Sequence, residues 1–220
     1  MHKSVKLFCA SAVFVVIAAA AATQPSHASG LWYVATTGND SNDCATPATP
    51  CASINGALNK PGIVAGDTIR VAAGTYTGTG TEVVALNRDA QLVGGWNSTF
   101  TAPGGPSTID GQKARRGIVL GFNVTAIVDR FTIRNGFDDY GGGGIFMGVG
   151  SLTLLNSTVT ANWARQGGGG IYSGNGTLTV INSTISGNAT GEANYYSGTG
   201  AGGIYASNSV VWLRNVTVAN

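Results

Sequence analysis

Residues 141–220 repeat one unit three times, and few architectures can use such a unit. Gly-Ile pairs place Ile145, Ile171 and Ile204 at spacings of 26 and 33 residues. The same offsets align Leu152/Leu178/Val211, Leu154/Val180/Leu213, Asn156/Asn182/Asn215 and Val159/Ile185/Val218. An insertion of 7 residues within 192–198 accounts for the longer interval. Apolar and polar residues alternate in each unit, as in Ser151-Leu152-Thr153-Leu154 and Thr177-Leu178-Thr179-Val180. A period of two is the strand signal. The runs are short, rich in Thr, Val, Ile and Tyr, and separated by Gly, Asn and Ser, which suit tight corners. A short strand cannot bury one face alone, so successive copies must cover one another, about 4.8 Å apart. The expectation is an all-β chain, a right-handed parallel β-helix (a solenoid) whose interior is filled by columns of Leu, Val and Ile.

The Asn156/Asn182/Asn215 column has the parity of the inward leucines, so it faces inward or sits where the strand bends. A buried amide needs partners, and an identical Asn one coil above and below supplies them. Ligand binding is the other reading of this column.

The chain opens with Lys3 and Lys6, an apolar run at 7–22 and Ser26-His27-Ala28, the pattern of a secretory signal peptide cleaved after Ala28. The run is shorter than the ~20 residues of a bilayer span. The expected mature chain is secreted or held at the cell surface, with no membrane span. Without the leader, 10 basic residues balance 10 acidic ones, and both histidines are lost. That balance gives no long-range field to draw nucleic acid, anionic lipid or an acidic polysaccharide. A chain without histidine has no His-dependent triad or histidine-ligated metal. Cys44 and Cys51 remain, and in an oxidising compartment they are expected to pair. So short a loop contributes about 2.5 kcal/mol.

After residue 28, residues 31–35 read as a strand. Pro50, Ala52, Ile54, Ala57 and Leu58 read as a short amphipathic helix with Pro in its first turn. Such a helix would cover the open end of a solenoid. Trp32-Tyr33-Val34, Gly38-Asn39-Asp40, Pro50-Cys51-Ala52-Ser53-Ile54 and Gly66-Asp67-Thr68-Ile69 through Gly74-Thr75-Tyr76 resemble the amino-terminal segment of secreted right-handed parallel β-helix proteins of the pectate-lyase-like superfamily. The Gly-Gly-Ile-Tyr and Asn-Ser-Thr repeats resemble its polymorphic outer-membrane-protein and adhesin-like branch. The resemblance implies the fold; for activity it implies a superfamily of lyases, hydrolases, epimerases and non-catalytic adhesins. The expected organisation is a signal peptide at 1–28, a cap and first coil at 29–80, irregular coils at 81–140 and regular repeats at 141–220. Strands are expected at 82–86, 90–93, 117–120 and 125–133. The last unit has no closing helix, so further coils are expected beyond residue 220.

Sugar-cleaving enzymes of this fold need carboxylates, with calcium and a basic residue in lyases or paired acids in hydrolases. Between 141 and 220 the only acid is Glu192. Upstream, Asp138 and Asp139, with Arg134 and Arg130 near in sequence, form a catalytic candidate or a solvated loop. Asp110 reads as a turn residue, and Lys113, Arg115 and Arg116 as a wetted basic corner. Asp40, Asn42 and Asp43 are candidate Ca²⁺ ligands or Asx-turn residues. Phe146, Tyr172 and Tyr205 each follow an inward Ile and so point outward in a column, with Trp163, Tyr195 and Tyr196 in flanking loops. Such a column is either a surface for neutral sugar rings or a ladder that stiffens the coil. Three function classes follow: a non-catalytic glycan- or surface-binding protein, a polysaccharide lyase or hydrolase, and a structural stalk. The sequence names no ligand identity or oligomeric state.

Overall fold

The computed structural model describes residues 30–191 and 201–219. The leader at 1–28, the insertion at 192–198 with Glu192, Tyr195 and Tyr196, and Asn220 lie outside the described residues. Among the described residues no helix is long and apolar enough to cross a membrane.

One regular coil consists of the strands Ile145–Leu155, Thr158–Thr160 and Trp163–Ala164. The next repeats it as Ile171–Ile181, Thr184–Ser186 and Ala189–Thr190. Every ladder is parallel and joins a strand to its counterpart one coil away. Ile145 lies beside Ile171 and Ile171 beside Ile204, so the three Gly-Ile pairs superpose as expected. Parallel connections of this kind wind right-handed. The chain is a right-handed parallel β-helix.

The long strand of the regular coil corresponds to two strands upstream, Arg116–Leu120 and Val124–Asp129, both of which pair with it. Each coil therefore presents four faces: a short one, a long one, and two more beyond the Asn corner. Register is kept through the coils that lack the Gly-Gly-Ile marker, apart from one shift between Arg70 and Ala72 against Ala90–Trp96. Ile69, Leu92, Val128, Leu154, Val180 and Leu213 form one continuous inward column. Its first five members are fully buried. At about 1.5–3 kcal/mol for each buried aliphatic side chain, such columns supply the main driving force. The run at 125–133, expected as one strand, is instead two, Val124–Asp129 and Phe131–Arg134. Arg130 separates them at φ 62°, which turns the chain onto the next face.

The cap helix is shorter than expected, Ile54–Leu58. Pro50 is not in its first turn. Ser53 is the N-cap and accepts a hydrogen bond from the Gly56 N–H at 2.9 Å. Cys51 instead bridges to Val34 in the first strand. Ile54, Ala57 and Leu58 are buried against the core, closing that end of the solenoid. Cys44 and Cys51 form a disulfide across 5.1 Å between Cα atoms.

Asn156, Asn182 and Asn215 stand at a corner with φ of 46°, 50° and 52°. Their side chains are exposed, because the left-handed turn throws them outward despite their inward parity. They still form a ladder: the Asn215 amide donates to Asn182 Oδ1 at 3.1 Å, and the Asn182 amide to Asn156 Oδ1 at 3.3 Å. The Asn156 amide donates to Asp129 Oδ1 at 2.8 Å. A second asparagine ladder is the buried one. Asn188 Oδ1 accepts from both the backbone and the amide of Asn162, and Asn162 Oδ1 accepts from the Gly136 N–H at 2.7 Å.

Val180→Ala is expected to lower the unfolding free energy by about 2–4 kcal/mol, as a cavity deep in a column does. Asn162→Ala orphans the buried Gly136 N–H, while Asn188 Oδ1 keeps the backbone N–H of residue 162, and is expected to cost about 1–3 kcal/mol for the one group left unpaired. Urea unfolding of both variants measures these losses; a loss below about 0.5 kcal/mol in either would contradict the assignment.

Candidate functional site

The outward column on the short face runs Val119, Phe146, Tyr172 and Tyr205, in strict register. Phe146 and Tyr172 stack with centroids 5.1 Å apart and planes 10° from parallel. Tyr172 and Tyr205 stack at 5.3 Å and 20°. The Arg116 guanidinium covers the other face of the stack, its Cζ 4.5 Å from the Phe146 centroid. The rings are half-buried. A Cβ at Gly141 would collide with the Tyr172 ring and the Gly167 carbonyl, and one at Gly167 would press on the Tyr205 ring. The geometry matters for chemistry, because a sugar stacks on the face of a ring. Here both faces of Phe146 and Tyr172 are taken, by the neighbouring rings and by Arg116, and one face of Tyr205 by Tyr172. What the column offers to solvent is ring edges and the tyrosine hydroxyls.

Trp163 does not flank this column in a loop. It lies in the strand Trp163–Ala164 on another face and stacks on Phe137 at 5.0 Å and 11°. Gly191 packs against the indole. Tyr195 and Tyr196 lie outside the described residues. Trp212 lies in register with Thr179 on the outward side of the long face, in the last described coil, where the inward Leu213 is exposed as well.

Asp138, Asp139 and Arg134 are each engaged elsewhere and form no shared centre. Asp138 Oδ1 accepts from Arg116 at 2.6 Å and from the backbone N–H groups of Tyr140 and Gly141. Arg116 also donates from Nε to the Gly141 carbonyl at 3.2 Å. It therefore ties the Asp138 corner to the aromatic ladder and is no wetted patch. Asp139 is exposed, 3.5 Å from Arg165. Arg134 pairs with Asp110 at 3.0 Å. Asp110 also accepts from the Gln112 N–H and the Asn135 amide. Its burial raises its pKa, but the Gln112 N–H, the Asn135 amide and Arg134 outweigh this, so the carboxyl titrates below its ordinary value of 3.8.

In the cap loop, Asp40 accepts from the Ala52 and Ser53 N–H groups and the Ser53 hydroxyl. Asp43 accepts from the Thr49 hydroxyl and the Ala45 N–H, which hold it below the usual carboxylate range. Asn42 donates to the Pro50 carbonyl. These oxygens fold the loop, as Asx-turn chemistry does. Among the described residues no three His, Cys, Asp or Glu side chains group to hold a metal ion.

No family model and no curated protein matches the chain. Among solved structures, pectate lyase Pel9A aligns with 80% of this chain and 58% of its own, at 18% identity and a TM-score of 0.41. A rhamnogalacturonan lyase aligns with 84% of this chain and 62% of its own, at 13% identity and a TM-score of 0.34. The chain thus spans less than two thirds of the length of either structure. The parallel ladders of this chain by themselves make it a parallel β-helix.

Within this β-helix, three partnerships escaped the sequence reading. Phe137 with Trp163, and Asn162 with Asn188, each lie 26 residues apart, the offset that had already aligned the isoleucines. Applying that offset to every residue type would have found them. Arg116 beneath Phe146 has no such signal, since it comes from a different position of its coil.

A lowered carboxylate pKa stabilises the fold above the unfolded value, and that contribution is lost as pH falls through the folded value. Asp110→Asn is therefore expected to be less stable than the parent at pH 6–7, with the gap closing as the pH drops below 3.8. Thermal midpoints measured across this range test it; a gap independent of pH would refute the carboxylate's role.

Proposed function

We propose that the protein is a non-catalytic, secreted or cell-surface β-helix that binds a glycan or another extracellular surface. The observation that carries this reading is the use of the carboxylates. Of the ten acidic residues, Glu192 is outside the described set. Each of the others holds a structural partner: Asp67 accepts from Gly30, Trp32 and Val64, Glu82 from Thr81, and Asp89 from the Thr125 N–H. Asp129 is bound to Asn156 and lies beside Arg130, and the remaining five hold the contacts given above. In the ladders no carboxylate is paired with another. Glycoside cleavage by two acids needs a pair placed about 5–9.5 Å apart across the bond.

The glycan part of the proposal rests on the neutral aromatic surface. Tyr172 and Tyr205 present edges and hydroxyls that suit hydrogen bonding to sugar hydroxyls. Export is supported by the leader pattern at 1–28 and by the Cys44–Cys51 disulfide, which suits an oxidising compartment. The adhesin-like resemblance of the repeats agrees with it. A lyase or hydrolase with its site at 110–140 or beyond residue 220, and a stalk without any ligand, are the competing readings.

A glycan array and pull-down on insoluble polysaccharides test the proposal. Replacing Tyr172 and Tyr205 together with Ala is expected to weaken binding about tenfold or more, as loss of interface aromatics does. Undiminished binding in that variant, or no ligand at all, would overturn it. A 4,5-unsaturated product that disappears on Asp139→Ala would establish the lyase instead.

A further inference from the structure

The face that follows the Asn corner is a parallel sheet of six strands, running from Gly74–Tyr76 to Thr217–Ala219. Thr75, Thr108, Thr132, Thr158, Thr184 and Thr217 stand in register along it, one on every strand. Their strand neighbours Tyr76, Ile109, Ile133, Val159 and Ile185 are buried in the core, so alternation turns the threonines outward. Two residues further along each strand lies a second outward column, in which Thr160 and Ser186 follow the paired Asp110 and Arg134. The long face has no such uniform column. Its counterpart runs Thr68, Gln91, Ile127, Thr153, Thr179 and Trp212.

Strand propensity accounts for threonine here and there, but two observations set this column apart. Its hydroxyls are unused. At the coil corners Ser157 and Ser183 each donate to the carbonyl two residues back and accept a backbone N–H from the coil before. Among the described residues none of the six threonine hydroxyls, nor those of Thr160 and Ser186, makes a hydrogen bond. The second observation is Thr108. It is only 8% exposed and its hydroxyl has no protein partner, yet that oxygen is not sealed from solvent. It opens onto the column between Thr75 and Thr132. A hydroxyl so far desolvated is unfavourable unless a partner outside the chain completes it.

We propose that this face binds ice. The ladder repeats hydroxyls at ~4.8 Å along the axis and at roughly 6.6 Å along a strand, as between Thr158 and Thr160. Water oxygens recur at closely similar intervals on the prism face of hexagonal ice. Each threonine sets a methyl beside its hydroxyl, and β-branching restricts both to few rotamers, so the array keeps its period. Waters held by the hydroxyls bridge to the lattice. A crystalline polysaccharide fits less well, because sugar rings are gripped by aromatic faces. The outward positions of this sheet hold no ring, and their only charges are the paired Asp110 and Arg134. Six threonines span five intervals, roughly 24 Å, so one rigid body makes many weak contacts together. Adsorbed molecules pin the ice front and force it to bulge between them, which holds freezing below the melting point. The tyrosine ridge lies on the short face, so the two surfaces fail or succeed separately.

The full chain is tested on ice itself. The parent is expected to open a gap between melting and freezing points in a nanolitre osmometer and to be taken up into slowly grown ice. Thr158→Tyr with Thr184→Tyr breaks the ladder and is expected to abolish both effects. Thr153→Tyr with Thr179→Tyr, outward in the same two coils but on the long face, is expected to keep both. Thermal midpoints equal to the parent's show that the variants fold. Thr158→Ser with Thr184→Ser is a milder break that removes only methyls, and it should narrow the gap. Absence of gap and uptake in the parent, an undiminished gap in the ladder variants, or an equal loss in the long-face variant would overturn the proposal. A concentration-dependent dimer that dissociates in the ladder variants would also overturn it, giving the face to a second copy.

Discussion

Parallel backbone pairing between one coil and the next carries the rest of this molecule. It satisfies the N–H and C=O groups along the axis and fixes the rise at roughly 4.8 Å per coil. Once Ile145 lies beside Ile171 and Ile171 beside Ile204, every other residue of the coil is assigned a neighbour. Side chains then meet their own kind. Aliphatic columns become a continuous core, asparagines become ladders, and rings become stacks. Glycine enters where the backbones of adjacent coils approach most closely. A side chain at Gly143 would collide with the Trp163 carbonyl, and one at Gly169 with that of Ala189.

The same rise explains why the aromatic column is a poor platform for stacked sugars. Rings attached to successive coils come to about 5 Å of one another and turn parallel, as Phe146, Tyr172 and Tyr205 do. Their faces are then spent on each other. Any in-register aromatic column in a solenoid meets this limit. Recognition on such a column falls to ring edges and to hydroxyls. Positions that break a column are consequently more informative than those that extend it. Arg130 interrupts the asparagine corner and covers Trp96, and Arg116 closes the tyrosine stack while anchoring Asp138.

The fold was legible because its period is written in residues that can do little else. Gly-Ile pairs at 26 and 33 residues, with alternating Leu and Thr, specify stacked strands before any coordinate is known. The site was less so. Parity left Asn156 either inward or at a bend, and its left-handed φ of 46° places it at the bend, exposed. Adjacency grouped Asp138, Asp139 and Arg134, whereas the coil sends their side chains to Arg116, Arg165 and Asp110. Sequence distance misleads in a solenoid, where the true neighbour lies one coil away. Pro50 looked like a first-turn helix residue because Pro favours that position, yet the capping hydroxyl of Ser53 starts the helix later.

The most direct test of this account is a cross-link that reads the register of adjacent coils. Thr153 and Thr179 are outward and in register, so Cys at both positions should sit roughly 4.8 Å apart, within disulfide reach. Thr153 and Ile181 are two residues out of register, roughly 8 Å apart and beyond that reach. Under mild oxidation of the folded protein, Thr153→Cys with Thr179→Cys is expected to close rapidly, while Thr153→Cys with Ile181→Cys stays reduced. Equal closure of both pairs, or closure of the second alone, would contradict the stacked arrangement from which the fold, the ladders and both surface sites are derived.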